Sequence, residues 1–226
     1  MKTKKFFTEF SREYEAQNRY SLLFYRRMIG TIIRQIGKRS RRILDLGTGT
    51  GELALRIAVR FPKSKVIGID ISSGMLGVAR AKADRLGLRN VSFAVSPLER
   101  VSKRANFAVS MAAFHHVKDK ATAIRRIYGL LPRVGKLVIG DWFKPSAKYR
   151  KEVAAMRRKY PKQTKQFDAS WRAALRAMSG EYGAKHPTEY PICPTELRDI
   201  MKNAGFRRQR VIKSLLPNFA VVVGEK

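Results

Sequence analysis

The chain has 226 residues, of which 44% are hydrophobic and 10% aromatic, so it can form an apolar core and global disorder is excluded. Its single cysteine, Cys193, cannot form an internal disulfide, and with three histidines it gives no zinc-type ligand spacing, so no metal site is expected. The net charge of +31, from 48 Lys and Arg against 17 Asp and Glu, indicates an anionic partner.

The first two thirds of the chain alternate between predicted helices and strands. From Phe6 to Ile36, apolar residues recur every three or four positions, which predicts one long or two short helices. Five strands follow, at Arg42–Leu46, Val66–Ile69, Val91–Val95, Phe107–Ala112 and Lys136–Trp142. Three helices lie between them, at Glu52–Phe61, Ser73–Leu86 and Lys120–Leu131. This alternation predicts a parallel sheet.

The segment 145–194 breaks the alternation. It is rich in Lys and Arg, is interrupted by prolines, and is interpreted as a helical insertion. A helix capped by Thr195 and ended by Gly205 comes next, before strands near Arg208–Lys213 and Phe219–Val223. We predict a single domain, 1–226, made of an N-terminal helical cap (1–41), a core (42–143), a basic helical insertion (144–194) and a C-terminal helix with strands (195–226).

The positive charge is concentrated in two of these segments. Residues 1–42 and 144–185 each hold 12 basic and 3 acidic side chains, a net charge of +9. The stretch between them has about half that charge density. Solvated helix faces without a partner remain the alternative explanation for both segments.

A glycine-rich turn follows the first strand. Gly47, Gly49 and Gly51 permit a sharp bend and the close approach of a ligand to the backbone. The spacing differs from the G-x-G-x-x-G of dinucleotide-binding folds, because the third glycine comes one residue earlier. Asp70 ends the second strand, where a carboxylate can accept hydrogen bonds from both hydroxyls of a ribose.

Several motifs make the chain resemble the class I S-adenosylmethionine-dependent methyltransferases, in the ubiquinone/menaquinone methyltransferase-like branch. They are LDLGTGTG at 44–51, GIDIS at 68–72, AFHHVKD at 113–119, PTEL at 194–197 and AGF at 204–206. The resemblance covers most of the chain and implies an α/β fold, a Rossmann-like, seven-stranded, mostly parallel sheet with helices on both faces. It also implies S-adenosyl-L-methionine as cofactor and S-adenosyl-L-homocysteine as product. A similar sheet that binds another nucleotide is the alternative.

The resemblance implies a set of cofactor-binding residues at the strand ends. Asp45 would order the turn, and the methionine part of the cofactor would be lined by Gly47, Gly49, Thr50 and Gly51. The nucleoside would be held by Asp70 at its ribose and by Ile71 and Met75 on either side of the adenine. The adenine edge would meet Ser96, Pro97 and Leu98, and the sulfonium would be approached by Met111.

The chain departs from the family pattern at two of these strands. Pro97 has neither the usual acidic or amide side chain nor a backbone N–H, so adenine recognition would rest on Leu98 and packing. Asn106 replaces a usual acid at the start of the fourth strand, and residues 132–135 read PRVG where the family has Lys-Pro-Gly-Gly.

Two adjacent histidines follow the fourth strand, where an acceptor would lie. His115 and His116 are candidate general bases for an acceptor that must lose a proton, although each could instead make a structural hydrogen bond. Weaker candidates are His186, Glu189 and Tyr190. The N-terminal helix and the insertion are expected to cover the site as a lid, with walls from Phe6, Phe10, Tyr14, Tyr20 and Trp171, for which ordinary helix packing is the alternative.

The sequence leaves three functions open. The first is methyl transfer to a small-molecule or lipid-like acceptor, because 110–116 read SMAAFHH and lack the Asn-Pro-Pro-Tyr or cysteine motifs of nucleic-acid methyltransferases. The second is an RNA or ribosome-associated methyltransferase, since the basic segments 1–42 and 144–185 could bind RNA or an anionic membrane surface. The third is a non-catalytic binding factor. We expect a cytoplasmic protein, with attachment to a membrane and the oligomeric state left open.

Overall fold

The computed structural model describes residues 2–9, 11, 26–38, 40–144, 146–178, 189–215 and 218–226. The predictions for Phe10, Tyr14, Tyr20 and His186 lie outside these residues, as does the side chain of Trp171.

The elements follow the predicted alternation. The strands are β1 (Arg42–Leu46), β2 (Lys65–Asp70), β3 (Val91–Val95), β4 (Phe107–Met111), β5 (Lys136–Trp142), β6 (Arg208–Lys213) and β7 (Phe219–Glu225). The helices are α1 (Lys2–Glu9), α2 (described over 26–33), α3 (Glu52–Arg60), α4 (Ser73–Arg85), α5 (Lys120–Leu130), α6 (Ala147–Lys159), α7 (Pro161–Met178) and α8 (Pro194–Asn203). Two short 3-10 turns lie at Leu98–Arg100 and Phe114–His116.

The seven strands form one sheet in the order β3-β2-β1-β4-β5-β7-β6, in which β7 runs in the opposite direction to the other six. The predicted Rossmann-like fold is confirmed. In register, Leu46 pairs with Ile69, Asp70 with Val95 and Met111 with Gly140. The strands β1 to β5 therefore end together along one edge of the sheet, here called the carboxyl edge, where open parallel sheets bind ligands.

The sheet is buried on both faces, which explains its nearly continuous apolar strands. In β5, Leu137 and Ile139 point into the core layer that contains α5 and α8, whereas Val138 points into the layer that contains α2 and α3. This alternation follows from the two-residue period of a strand. The two layers hold the carboxyl edge in a fixed geometry.

Within the insertion, 147–159 and 161–178 are helical, as predicted, whereas 189–193 are not, and α6 packs at the carboxyl edge. The Tyr149 hydroxyl donates to the carbonyl of Phe219 over 3.0 Å, and Val153 is fully buried. Phe219 starts β7 opposite Trp142 at the end of β5, so α6 lies beside that part of the edge. Within the described residues, no helix is long and apolar enough to cross a membrane.

The prediction that Thr195 caps the helix after the insertion is wrong. Helix α8 begins at Pro194, and its N-cap residue is Cys193, two positions before Thr195. Glu196 accepts a hydrogen bond from the Cys193 backbone N–H over 2.8 Å. Proline suits the first helical position because its fixed φ is already helical and its missing N–H would have no helical partner.

Candidate active site

The bend between β1 and α3 depends on glycine. Gly47, Gly49 and Gly51 have φ values of 71°, 54° and 82°, in the left-handed region that other residues rarely adopt. A Cβ added at Gly47 would lie 2.3 Å from the Cβ of Ala113. At Gly49 an added Cβ would have no atom within 4 Å, so the backbone there faces open space. The bend leaves room for a ligand against Gly49.

Asp70 joins this bend to the tip of β2. One carboxylate oxygen accepts the backbone N–H of Gly49 and the other that of Ser72, each over 2.9 Å. Burial raises the pKa of Asp70, and the two backbone hydrogen bonds partly oppose that rise. Each oxygen of an ionised carboxylate can accept a second hydrogen bond, so Asp70 can still receive ribose hydroxyls. Its ribose-binding role stays a prediction.

Asp45 lies buried beneath the same bend. It accepts the hydroxyl of Thr48 over 2.7 Å, which ties the turn to the end of β1. Burial raises the pKa of Asp45 to about 7, against the lowering effect of the Thr48 hydrogen bond. Thr50 is also buried. The carboxyl of Asp45 therefore contacts the bend and leaves the surface around Gly49 open.

The loop after β3 lies beside Asp70. The Ser96 backbone N–H donates to the carbonyl of Asp70 over 2.9 Å, which places 96–98 next to the tip of β2. Pro97 precedes the 3-10 turn, and the side chain of Leu98 packs into the core layer with α5. The predicted adenine-edge residues thus share a neighbourhood with the predicted ribose ligand, although the Leu98 side chain points into the core.

The remaining predicted cofactor residues differ in how far they are buried. Met75, in the first turn of α4, is buried, whereas Ile71 is partly exposed at the end of β2. Met111 ends β4 and is partly exposed at the carboxyl edge. The departure at Asn106 has a structural explanation, because its side-chain oxygen accepts the Arg42 N–H over 3.0 Å and joins the starts of β1 and β4.

Helix α1 crosses the carboxyl edge between two parts of the site. The hydroxyl oxygens of Thr8 and Ser72 lie 3.1 Å apart, next to the first turn of α4. The ring of Phe7 meets the ring of His116 edge-on, with 5.3 Å between centroids. Phe6, predicted as a pocket wall, is buried. The first residues of the chain therefore cover the space between β2 and the loop after β4.

A buried ion-pair geometry distinguishes the two histidines. His115 is 5% exposed, and its Nδ1 lies 2.6 Å from the carboxylate of Asp141, near the end of β5. The same carboxylate accepts the His115 backbone N–H over 2.8 Å. Burial alone would lower the pKa of His115, but the charge and hydrogen bond of Asp141, together with Glu189, outweigh it and raise the pKa. His116 instead stacks at a tilt on His115, with 4.0 Å between centroids.

The end of the insertion is fastened to this histidine loop. The ammonium of Lys120 is buried and donates to the carbonyls of Val117 and Tyr190, each over 2.6 Å. The Tyr190 N–H donates to the His115 carbonyl over 2.6 Å, and Glu189 lies 3.9 Å from His115 Nε2. Glu189 and Tyr190, the weaker candidates, thus lie beside His115. His186 lies outside the described residues.

Sequence reasoning missed Asp141 and Lys120. Asp141 is the one acidic residue in the strand KLVIGDW, and a charge inside an otherwise apolar strand indicates a buried, paired group. Lys120 gave no comparable signal, because a lysine at the start of a helix is usually solvated.

The backbone is strained where β4 ends. Ala112 has a φ of 52°, and its N–H donates to the carbonyl of Gly140 over 2.8 Å. A left-handed conformation costs a non-glycine residue about 1–2 kcal/mol, and such residues cluster at functional sites. The strained position directly precedes Ala113, which packs against Gly47, so the histidine loop and the glycine bend are in contact.

Comparison with known proteins assigns the family. A family model described as a methyltransferase domain matches residues 38–190, which is more than half of the chain. This chain belongs to the methyltransferase domain family. The resemblance to S-adenosylmethionine-dependent methyltransferases is therefore confirmed, and so is the expected cofactor at the level of the family.

Relatives of this methyltransferase domain include enzymes with small acceptors in their names. It is 33% identical over 146 residues to demethylmenaquinone methyltransferase of Thermus thermophilus, covering 62% of this chain and 65% of that protein. It is 36% identical over 99 residues to trans-aconitate 2-methyltransferase of Methylobacterium radiotolerans, covering 44% of this chain and 37% of that protein. The matched region thus spans less than two thirds of either relative.

A solved structure supports the fold. Magnesium protoporphyrin IX methyltransferase from Synechocystis PCC 6803, with bound S-adenosylhomocysteine, superposes with a TM-score of 0.65. The match covers 96% of both chains at 14% identity. At that identity the likeness concerns the fold alone.

Proposed function

We propose that this methyltransferase domain transfers a methyl group from S-adenosylmethionine to a small-molecule or lipid-like acceptor. The observation that carries the proposal is the hydrogen bond between Gly49 and Asp70, which joins a glycine bend facing open space to a ribose-type carboxylate. The matched relatives support a small acceptor, because their names give demethylmenaquinone and trans-aconitate as the molecules methylated.

The residues present fit this cofactor. Gly49 offers backbone without a side chain, so a ligand chain can lie directly on the bend. Asp70 offers a fixed carboxylate on the adjoining strand, and the loop 96–98 lies beside it. When bound, the cofactor supplies an electrophilic methyl carbon on a positively charged sulfur.

The contribution of the chain to the transfer is alignment and exclusion of water. Displacement at a methyl carbon needs the acceptor atom in line with the departing sulfur, and a fixed geometry lowers the entropic cost of that arrangement. Helix α1 covers the carboxyl edge through Phe7 and Thr8 and limits the entry of water. The acceptor would lie beside the histidine loop after β4.

Between the two histidines, His115 is the better candidate base. Asp141 holds its Nδ1, and its Nε2 lies 3.9 Å from Glu189, so the orientation of the ring is fixed. The His116 ring packs on Phe7 as a wall. For an acceptor with an acidic O–H, N–H or C–H, His115 would accept the proton as the methyl group arrives.

The test is a labelled-methyl transfer screen with wild-type protein. S-adenosylmethionine carrying a tritiated methyl group is incubated with separate metabolite, lipid and RNA fractions, and each fraction is analysed for incorporated label. We expect incorporation into the metabolite or lipid fraction. Label only in RNA would favour the RNA methyltransferase alternative. Tight cofactor binding with no incorporation in any fraction would favour a non-catalytic factor, the function suggested by Pro97 and Asn106.

A further inference from the structure

A shallow basic groove lies between the two helices of the insertion, and none of its lining residues belongs to the glycine bend. It is broadly open to solvent and has a volume of about 560 Å³. Arg157 and Arg158 of α6 and Lys165 and Arg172 of α7 line it. Asp168 is the acidic residue in this lining. We call this cavity the α6–α7 groove.

The single carboxylate of the groove is already engaged. Asp168 lies 2.6 Å from the Arg157 guanidinium, which also donates to the carbonyl of Leu215 over 2.8 Å. Arg157 is thereby fixed as part of the fold. Among the residues described, no ion pair is formed by Arg158, Lys165 or Arg172. Within the part of the chain that the structure describes, three cations therefore line an open surface without an acidic partner, and such a surface attracts a polyanion.

An aromatic ring lies at the junction of the two helices. Tyr160 separates α6 from α7, directly before Pro161, which lines the groove. Its side chain is 42% exposed, and the Lys159 ammonium lies 5.6 Å from the ring centroid. Exposed aromatic rings beside a basic groove are typical of proteins that bind single-stranded nucleic acid, where bases stack on the rings.

We propose that the α6–α7 groove binds single-stranded nucleic acid, with phosphates on Arg158, Lys165 and Arg172 and a base stacked on Tyr160. The exposed ring next to the cationic cluster favours a nucleic acid, which offers bases to stack on it, over an anionic bilayer, which offers charge alone. A simple polyphosphate would use the cations without the ring. This binding site goes beyond the proposed methyl transfer and does not depend on it.

The first test compares two triple variants that change the net charge equally. The groove variant carries Arg158→Glu, Lys165→Glu and Arg172→Glu, which spares Arg157. The control carries Lys63→Glu, Arg85→Glu and Arg89→Glu, three exposed residues next to the starts of β2 and β3. Binding of a fluorescein-labelled oligouridylate is measured by anisotropy between about 50 and 200 mM KCl.

We expect the groove variant to bind the oligouridylate at least about tenfold more weakly at low salt than wild type. The slope of log affinity against log salt should decrease in magnitude by about 2, since each lost phosphate contact on a single strand removes about 0.7. The control should lose less than about threefold by the general charge effect. Equal losses in both variants, or no loss in the groove variant, would overturn the proposal.

The second test isolates the ring. Tyr160→Ala should weaken oligouridylate binding by at least about fivefold with an unchanged salt slope, and Tyr160→Phe should retain wild-type affinity, because stacking needs the ring and no charge. Full affinity in Tyr160→Ala would overturn the base-stacking part.

Sedimentation with phosphatidylserine vesicles is measured in parallel. If the groove variant loses vesicle binding as strongly as nucleic-acid binding, the occupant is a membrane surface and the proposal is overturned.

Calorimetric titration with S-adenosylmethionine keeps this inference separate from the proposed function. All groove and Tyr160 variants should retain wild-type cofactor affinity, because they lie outside the glycine bend and Asp70. Loss of cofactor affinity in these variants would contradict the separation of the two sites. Unchanged cofactor affinity with lost oligouridylate binding supports a distinct nucleic-acid site.

Discussion

The backbone N–H of Gly49 donates to the Asp70 carboxylate over 2.9 Å, across the gap between β1 and β2. This bond links the two motifs that the sequence presents 21 positions apart into one surface. A change at either residue should therefore affect both the shape of the bend and the carboxylate that faces a ligand.

Asp70→Ala should weaken S-adenosylmethionine binding by about 10- to 100-fold, because hydrogen bonds to a charged group contribute about 1.5–3 kcal/mol. Asp70→Asn keeps one acceptor oxygen and should bind with intermediate affinity. Isothermal titration calorimetry measures both. The matched control is Asp84→Ala, an exposed acid in α4, which should bind like wild type. Wild-type affinity in Asp70→Ala would contradict the ribose-binding role.

Gly49→Ala and Gly87→Ala form a matched pair. Both glycines have a left-handed φ, of 54° and 63°, and an added Cβ at either would have no atom within 4 Å. Each change should lower stability by about 1–2 kcal/mol. In Gly49→Ala alone, cofactor affinity should drop at least about tenfold, because the new methyl group occupies the space against the bend. Thermal unfolding and calorimetry give the two readouts. Equal cofactor affinity in both variants would contradict a ligand at Gly49.

Asp45 should make stability depend on pH. Its pKa is about 7 in the folded protein against 3.8 in the unfolded chain, so the folded state favours the protonated form. The stabilisation is complete below about pH 4, is lost as the pH rises to about 7, and amounts to at most about 4 kcal/mol. The free energy of unfolding, measured in urea, should fall less between pH 4 and 7 for Asp45→Asn than for wild type. Asp84→Asn, the exposed control, should follow wild type. If the free energy of unfolding depends on pH equally in wild type and Asp45→Asn, the raised pKa of Asp45 is refuted.

His115 should control the pH dependence of turnover once an acceptor is known. If it is the base, kcat rises as the pH passes through the His115 pKa, which Asp141 and Glu189 hold above the usual 6.5 despite burial. His115→Gln should lose this rise and at least about 100-fold in kcat, whereas His116→Gln should keep it. Asp141→Asn should move the rise to lower pH, because burial then dominates. A wild-type profile in His115→Gln would exclude His115 as base.

Much of the architecture is predictable because the breaks in the pattern are local. Gly47 ends β1, Pro62 separates α3 from β2 and Gly135 precedes β5, and each strand from β1 to β5 is predicted to within one residue at either end. The last strand is longer than predicted, since β7 continues to Glu225. That extension depends on pairing with Lys136 in β5, whose ammonium lies 2.7 Å from the Glu225 carboxylate, a contact 89 positions apart.

The candidate site is less predictable than the fold, because it depends on contacts between residues that are far apart in the sequence. His115 and Asp141 are 26 positions apart and meet because β4 and β5 are neighbours in the sheet. The sequence indicates both strands but gives no side-chain distance, so it could not rank His115 above His116. The predicted cap of α8 lies two positions too late, because Thr195 is a common cap residue while Pro194 occupies the first helical position and makes Cys193 the cap.

The most direct measurement is a crystal structure of the protein grown with S-adenosylhomocysteine. The account predicts the amino-acid part of the nucleoside on the Gly47–Gly51 bend, its ribose hydroxyls within hydrogen-bond distance of Asp70, and its adenine beside 96–98. Density for the nucleoside at another place, with the bend and the Asp70 carboxylate untouched, would contradict the account.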